Sequence, residues 1–161
     1  MQIQQAQIPK PYYDLLTQPL MTIAIERYYG NTPVIQPLVA RLDLDNNIYY
    51  RSIIMLVANH KKNVIVAEHA YIVMNFNELP DELIFKILNT NIPFGKLLKI
   101  YDLPITASNQ EYFVINCQSS GITYGRTNTI LRADNHNWLA HVIEVLGHDY
   151  IDKKDIKYNF S

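Results

Sequence analysis

Cys117 is the only cysteine in the chain. A single thiol makes no internal disulfide and no cysteine metal cluster, so a reducing compartment is expected. Its setting, the apolar run Tyr112 to Cys117, reads as a buried, inert thiol rather than a nucleophile. Basic clusters are scarce as well. None is longer than the pair Lys61-Lys62 and the net charge is −1, so the phosphate-neutralising footprint of a nucleic-acid binder is missing. The longest apolar run, Ile53 to Ala58, falls far short of the roughly 20 residues a membrane helix needs. Met1-Gln-Ile-Gln-Gln has no basic region followed by an apolar one, so no secretory leader is expected. A cytoplasmic protein is expected, or one of the plastid stroma if plastid-encoded. There is no phosphate-loop glycine motif, no G-x-S-x-G elbow and no histidine pair at helical metal spacing. His60, His69, His136, His141 and His148 are scattered, and no metal site is expected.

What is present is globular. Hydrophobic residues make up 48% of the 161 and charged residues 18%, with no repeat and no Gly/Ser linker, so 1–161 reads as one domain with a charged, peripheral tail over 149–161. Short helices are expected over 11–17 and 20–29, the second stopped at Gly30. Residues 32–43 read as a strand with an edge or bulge at Pro37. Asp45-Asn46-Asn47 is a turn, and 48–59 and 63–74 form a hairpin around His60-Lys61-Lys62. A helix opens near Pro80 with the apolar stripe Leu83, Ile84, Ile87 and Leu88. A second follows from Phe94. Strands are expected over about 110–117 and 122–132, around Ser119-Ser120-Gly121, and a last one from Trp138 to Leu146. Short turns between neighbouring strands favour antiparallel pairing, so the class is α+β.

Three charges break the strand alternation. In the last strand, Glu144 shares a face with Trp138, Ala140, Val142 and Leu146. It is either a frayed strand end or a carboxylate aimed into a cavity. Arg51 shares a face with Tyr49, Ile53, Met55 and Val57. It either snorkels to water or offers a fixed fork for a carboxylate. Glu68 falls on the face of Val64, Val66, Ala70, Ile72 and Met74, where an ion pair with Arg51 is as good a reading as a ligand contact. His69 points the other way. Pro93-Phe94-Gly95-Lys96 opens a helix whose first N–H groups lack intrahelical partners, either an ordinary helix start or an anion site.

These segments fall in an order that resembles the chorismate pyruvate-lyase family, in particular its cyanobacterial, plastid and archaeal branch. The likeness runs from about Pro19 to Gly147. It is carried by Pro19-Leu-Met-Thr22, Tyr50-Arg51-Ser-Ile-Ile, Val66-Ala67-Glu68, Asn77-Glu-Leu-Pro80, Ile92-Pro-Phe-Gly-Lys-Leu-Leu98, Tyr124-Gly125-Arg126 and Val142-Ile-Glu144-Val-Leu146. It implies a six-stranded antiparallel sheet with helices covering an internal ligand cavity. It also implies conversion of chorismate to 4-hydroxybenzoate and pyruvate without metal or organic cofactor, supplying a quinone precursor. By that likeness Met21, Arg51, Phe94, Gly95 and Glu144 bind substrate, with Arg51 and Glu144 the catalytic pair. The family's bacterial ubiquinone-pathway enzyme has Gly-Arg where this chain has Glu68-His69, so a second arginine is missing, and its contact is either replaced by Arg126 or lost. A monomer or small homo-oligomer is expected. A non-catalytic binder of a small aromatic acid on the same fold is the alternative.

Overall fold

The computed structural model describes residues 1–117 and 121–147. The Cys117 side chain, Ser119-Ser120 of the expected turn, His148 and the tail 149–161 lie outside the described residues. The fold is α+β. Strands β1 (Gln2–Ile3), β2 (Val34–Asp43), β3 (Ile48–Ala58), β4 (Val64–Asn75), β5 (Ile105–Cys117), β6 (Gly121–Arg132) and β7 (Trp138–Leu146) form one sheet in the order β1-β5-β6-β7-β4-β3-β2. Every pairing is antiparallel. Helices α1 (Tyr12–Leu16), α2 (Met21–Tyr29), α3 (Asp81–Asn89) and α4 (Phe94–Ile100) complete it.

The sheet has seven strands rather than the six that the resemblance implied. The extra one is β1, which sets Gln2 opposite Phe113 and Ile3 opposite Tyr112 along the outer edge of β5. Ile3 packs against the core there, which gives so short a strand its hold. β5 also starts at Ile105 rather than near 110. Its register shifts between Ser108 and Glu111, with Asn109 at φ 53°. A bulge in polar residues imitates a turn in the sequence.

Alternation is regular in β3 and, from Ala140 on, in β7. Tyr49, Arg51, Ile53, Met55 and Val57 all face inward, as do Ala140, Val142, Glu144 and Leu146. At the start of β7 the register shifts, with Ile130 opposite Ala140 but Leu131 opposite Trp138, so Leu139 is an extra residue buried next to Ala140. Trp138 therefore leaves the face expected for it and stacks on the outward His141 at 4.7 Å. β4 is bulged too. Its register shifts where Met55 lies opposite Glu68 but Leu56 lies opposite Val66, so Ala67 is the extra residue. Ala67 and Glu68 are both buried in succession. The expected face of Glu68 is therefore corrected. Ala70, Ile72 and Met74 do share it, whereas Val64 is exposed and Ile65 and Ala67 are buried in its place. A one-residue bulge reverses which side of the sheet a period of two addresses. The α3 stripe is likewise narrower than expected. Leu83 and Ile87 are buried but Leu88 is 44% exposed.

Two apolar clusters hold the helices to the sheet. One joins Leu15 and Leu16 of α1 and Met21, Ala24, Ile25 and Tyr29 of α2 to Ile53, Met55, Val57 and Ile65. The other joins Leu83 and Ile87 of α3 and Phe94, Leu97 and Leu98 of α4 to Ile72, Met74, Ile130 and Val142. Each fully buried aliphatic side chain contributes about 1.5–3 kcal/mol. Gly30 closes α2 at φ 70° in the left-handed region, as its stop signal predicted. The seam between the two clusters is where the charged residues gather.

Candidate functional site

A cavity opens at this seam. It is walled on the sheet side by Arg51, Ile53, Met55, Glu68, Ala70, Ile72, Ile130, Val142 and Glu144. The helix side is supplied by Pro19 to Thr22 and by Pro93, Phe94 and Gly95. Of the residues picked out by the sequence, Met21, Arg51, Phe94, Gly95 and Glu144 line it together, and so does Glu68. Arg126 is not among the lining residues.

The helix side is the paired starts of α2 and α4. Neither start is capped by a side chain, so the first N–H groups of each lack intrahelical partners. Gly95 is what lets the two starts meet: a Cβ there would lie 3.0 Å from Thr22 Oγ1 and 3.2 Å from Thr22 Cβ. Toward solvent, Lys96 Nζ holds Glu26 at 2.8 Å and ties the same two helices again.

Arg51 stands at one end. It is 2% exposed, so it does not snorkel to water. Its Nη1 donates to the Ile87 carbonyl over a long 3.5 Å, and its Nε has no partner. The Tyr49 ring lies 5.9 Å from its guanidinium carbon. Burial pushes the group below the usual arginine value, and Tyr49 works against that. The expected Arg51–Glu68 ion pair is absent. Arg51 lies opposite Ile72 while Glu68 lies opposite Met55. Four residues separate those positions, about 13 Å along a strand.

Glu68, Glu144 and Arg126 form the other end. Arg126 is fully buried. Its Nε donates to Glu144 Oε2 at 2.7 Å. Its Nη1 donates to the Leu16 carbonyl at 2.6 Å and also to that of Gln18, and its Nη2 donates to Pro19 at 3.3 Å. Asn128 Nδ2 donates to the same Pro19 carbonyl at 3.2 Å. Arg126 therefore sits behind Glu144 and fastens the chain leading into α2. Four of its five N–H donors are thus engaged inside the protein, and it does not line the cavity. Glu68 is a diagonal neighbour of Glu144, because Glu144 pairs with Ala70 and Glu68 with Leu146. Burial first, and then the Glu144 charge, push the Glu68 carboxyl well above the usual carboxylate range, against the pull of Arg126. Its Oε2 is buried without a partner.

Counted out to its mouth, and so including open solvent, the cavity holds about 450 Å³ of empty space. The part that the centre of a water molecule can occupy is about 40 Å³, room for a few waters. A ring-sized ligand requires the lining to give way, and Met21 and Met55 are the flexible, unbranched side chains placed to do so. Sequence reasoning missed Thr22 as a lining residue and missed the tether role of Arg126. The first had a signal in Pro19-Leu-Met-Thr22. The second had none, because its partners are backbone carbonyls more than a hundred positions away.

Among the described residues, no group of three or more His, Cys, Asp or Glu side chains is placed to hold a metal ion. No helix there is long and apolar enough to cross a membrane. Compared with protein-family models and with curated proteins, the chain finds no match. The likeness to chorismate pyruvate-lyases rests on the residues quoted for it.

Proposed function

We propose that this protein is a chorismate pyruvate-lyase, converting chorismate to 4-hydroxybenzoate and pyruvate. The observation that carries the reading is the convergence of Met21, Arg51, Phe94, Gly95 and Glu144 on one cavity. Those five residues come from four separate elements, and they are the substrate-binding residues that the resemblance implies. Arg51 is a buried guanidinium without an ionic partner among the described residues, which is what a ligand carboxylate would complete.

In this reading Arg51 holds the ring carboxylate, aided by the open N–H groups where α2 and α4 begin. Glu144, fixed by Arg126, accepts a hydrogen bond from the ring hydroxyl at the far end. The C3–O ether bond breaks, the hydrogen on the hydroxyl-bearing ring carbon passes to the enolpyruvyl methylene, and the ring becomes aromatic. The two products account for every atom of the substrate. The reaction runs downhill, so the protein's task is mainly to position the ligand and exclude water.

The test is to mix pure protein with chorismate, following pyruvate through lactate dehydrogenase and 4-hydroxybenzoate by absorbance. Release of both in equal amounts supports the reading; release of neither by folded protein ends it. One observation favours the alternative of a non-catalytic binder. Chorismate is a dianion, yet among the described residues Arg51 is the single cation lining the cavity, and Arg126 is committed elsewhere. Tight binding of 4-hydroxybenzoate with no pyruvate from chorismate would decide for that alternative.

A further inference from the structure

Glu68 is the charged residue at this site that neither the resemblance nor the proposed reaction uses. It is 2% exposed and lines the cavity with Oε2 unpartnered. Its orientation is imposed by the Ala67 bulge, since a regular strand would have kept the face of Val64 and Val66. It has no cation of its own. The nearby guanidinium, on Arg126, is shared by Glu144 and the carbonyls of Leu16, Gln18 and Pro19. Diagonal neighbours on adjacent strands lie about 7–8 Å apart at Cα, which brings both carboxyl groups to one ligand atom. Two like charges so placed and so buried do not both persist. Of the two, Glu144 is the one paired with the Arg126 guanidinium. Glu68 is then the acid that keeps its proton, and burial and Glu144 both drive it that way.

We propose that Glu68 and Glu144 together read a hydroxyl group on the ligand, Glu68 donating a hydrogen bond to its oxygen and Glu144 accepting one from its hydrogen. A hydroxyl both donates and accepts at a single atom, so it satisfies the pair. A bare C–H satisfies neither carboxyl. An aromatic amine donates well but accepts poorly. A second carboxylate only accepts and meets the Glu144 charge. The site is thereby assigned to ring acids with a carboxylate at the Arg51 end and a hydroxyl at the opposite end, and Glu68 is its specificity residue. This inference rests on the cavity being the ligand site of the proposed function, but not on turnover.

The test is equilibrium binding of 4-hydroxybenzoate, benzoate, 4-aminobenzoate and terephthalate, by calorimetry on the full chain. The wild type is expected to bind 4-hydroxybenzoate at least about tenfold more tightly than benzoate, with terephthalate weakest. Glu68→Leu should lose most of that tenfold preference while its benzoate affinity stays within a few-fold. Glu68→Gln, which keeps an N–H donor, should retain most of it. Equal weakening of both acids by Glu68→Leu would mark a structural role and overturn the assignment, as would a wild type with no hydroxyl preference or no affinity for any of the four.

If Glu68→Leu does not fold, pH separates the cases. The wild-type preference should fall as pH rises and Glu68 ionises, and the Glu68→Gln preference should stay flat. The groups facing Glu68 are Glu144 from β7 and Arg126 from β6. Met21, Thr22, Phe94 and Gly95, from the two helices lining the cavity, carry no titratable side chain. Pyruvate release without a hydroxyl preference would remove this inference and leave the lyase. A hydroxyl preference without pyruvate release would do the reverse.

Discussion

Arg51 and Arg126 are both buried arginines on inward faces of one sheet, yet they are treated in opposite ways. Arg126 meets a carboxylate at 2.7 Å and carbonyls from Leu16 to Pro19. Arg51 has a long contact with one carbonyl, the Tyr49 side chain beside it and an unpartnered Nε. A buried charge whose hydrogen bonds are complete holds structure together. One whose hydrogen bonds are left open costs stability that a ligand can return. The difference separates a scaffold role from the ligand-binding role proposed for Arg51.

The sharpest way to break the comparison is Arg126→Met. It strands the Glu144 carboxylate and the carbonyls ahead of α2, and the expected cost is about 3–5 kcal/mol. For a chain of this length that lowers the thermal midpoint on the order of 10 °C. Arg51→Met should do the reverse, with a midpoint at or above that of the wild type and chorismate turnover at least ~100-fold lower. If both variants melted equally early, Arg51 would belong to the scaffold and the contrast would fail.

A smaller effect comes from Glu68. The folded protein raises this carboxyl, so between the unfolded value near ~4.3 and the folded value the native state binds more protons. Stability is then full below that window and falls as pH rises through it. Glu68→Gln should match the wild type near pH 4 and melt about 2–4 °C higher at pH 8, a difference of about 1 kcal/mol. Thermal melts of the two proteins across that range check the sign. The least effect is expected outside the cavity, where the Lys96–Glu26 pair is partly exposed. Lys96→Ala should cost under about 1 kcal/mol in a denaturant titration.

The sequence disclosed the two ends of the site unequally, for a physical reason. β3 alternates without interruption and β7 does so from Ala140 on, past its own bulge at Leu139, so counting in twos assigns Arg51 and Glu144 to inward faces. β4 contains a bulge that counting does not detect, and the face given to Glu68 carried Val64 and Val66 in error. β5 was entered late for the same cause, at the irregularity around Asn109. Helices α2 and α4 were legible from Gly30 and Pro93, which act through local backbone geometry. The work of Arg126 was illegible, because it depends on where a distant stretch of main chain comes to rest.

The Ala67 bulge also bears on how such a strand tolerates insertion and deletion. It divides β4 into two segments of independent phase: 64–67, where Ile65 and Ala67 join the α1–α2 cluster, and 68–75, where Glu68, Ala70 and Ile72 line the cavity. A codon gained or lost in the turn at 59–63 would be absorbed before the bulge and leave the ligand's surroundings unchanged. The same event between Glu68 and Asn75 would exchange the inner and outer faces of that segment, presenting His69 or Tyr71 to the ligand. Change in the lining of the cavity is thus available through chain length alone, over a span of eight residues.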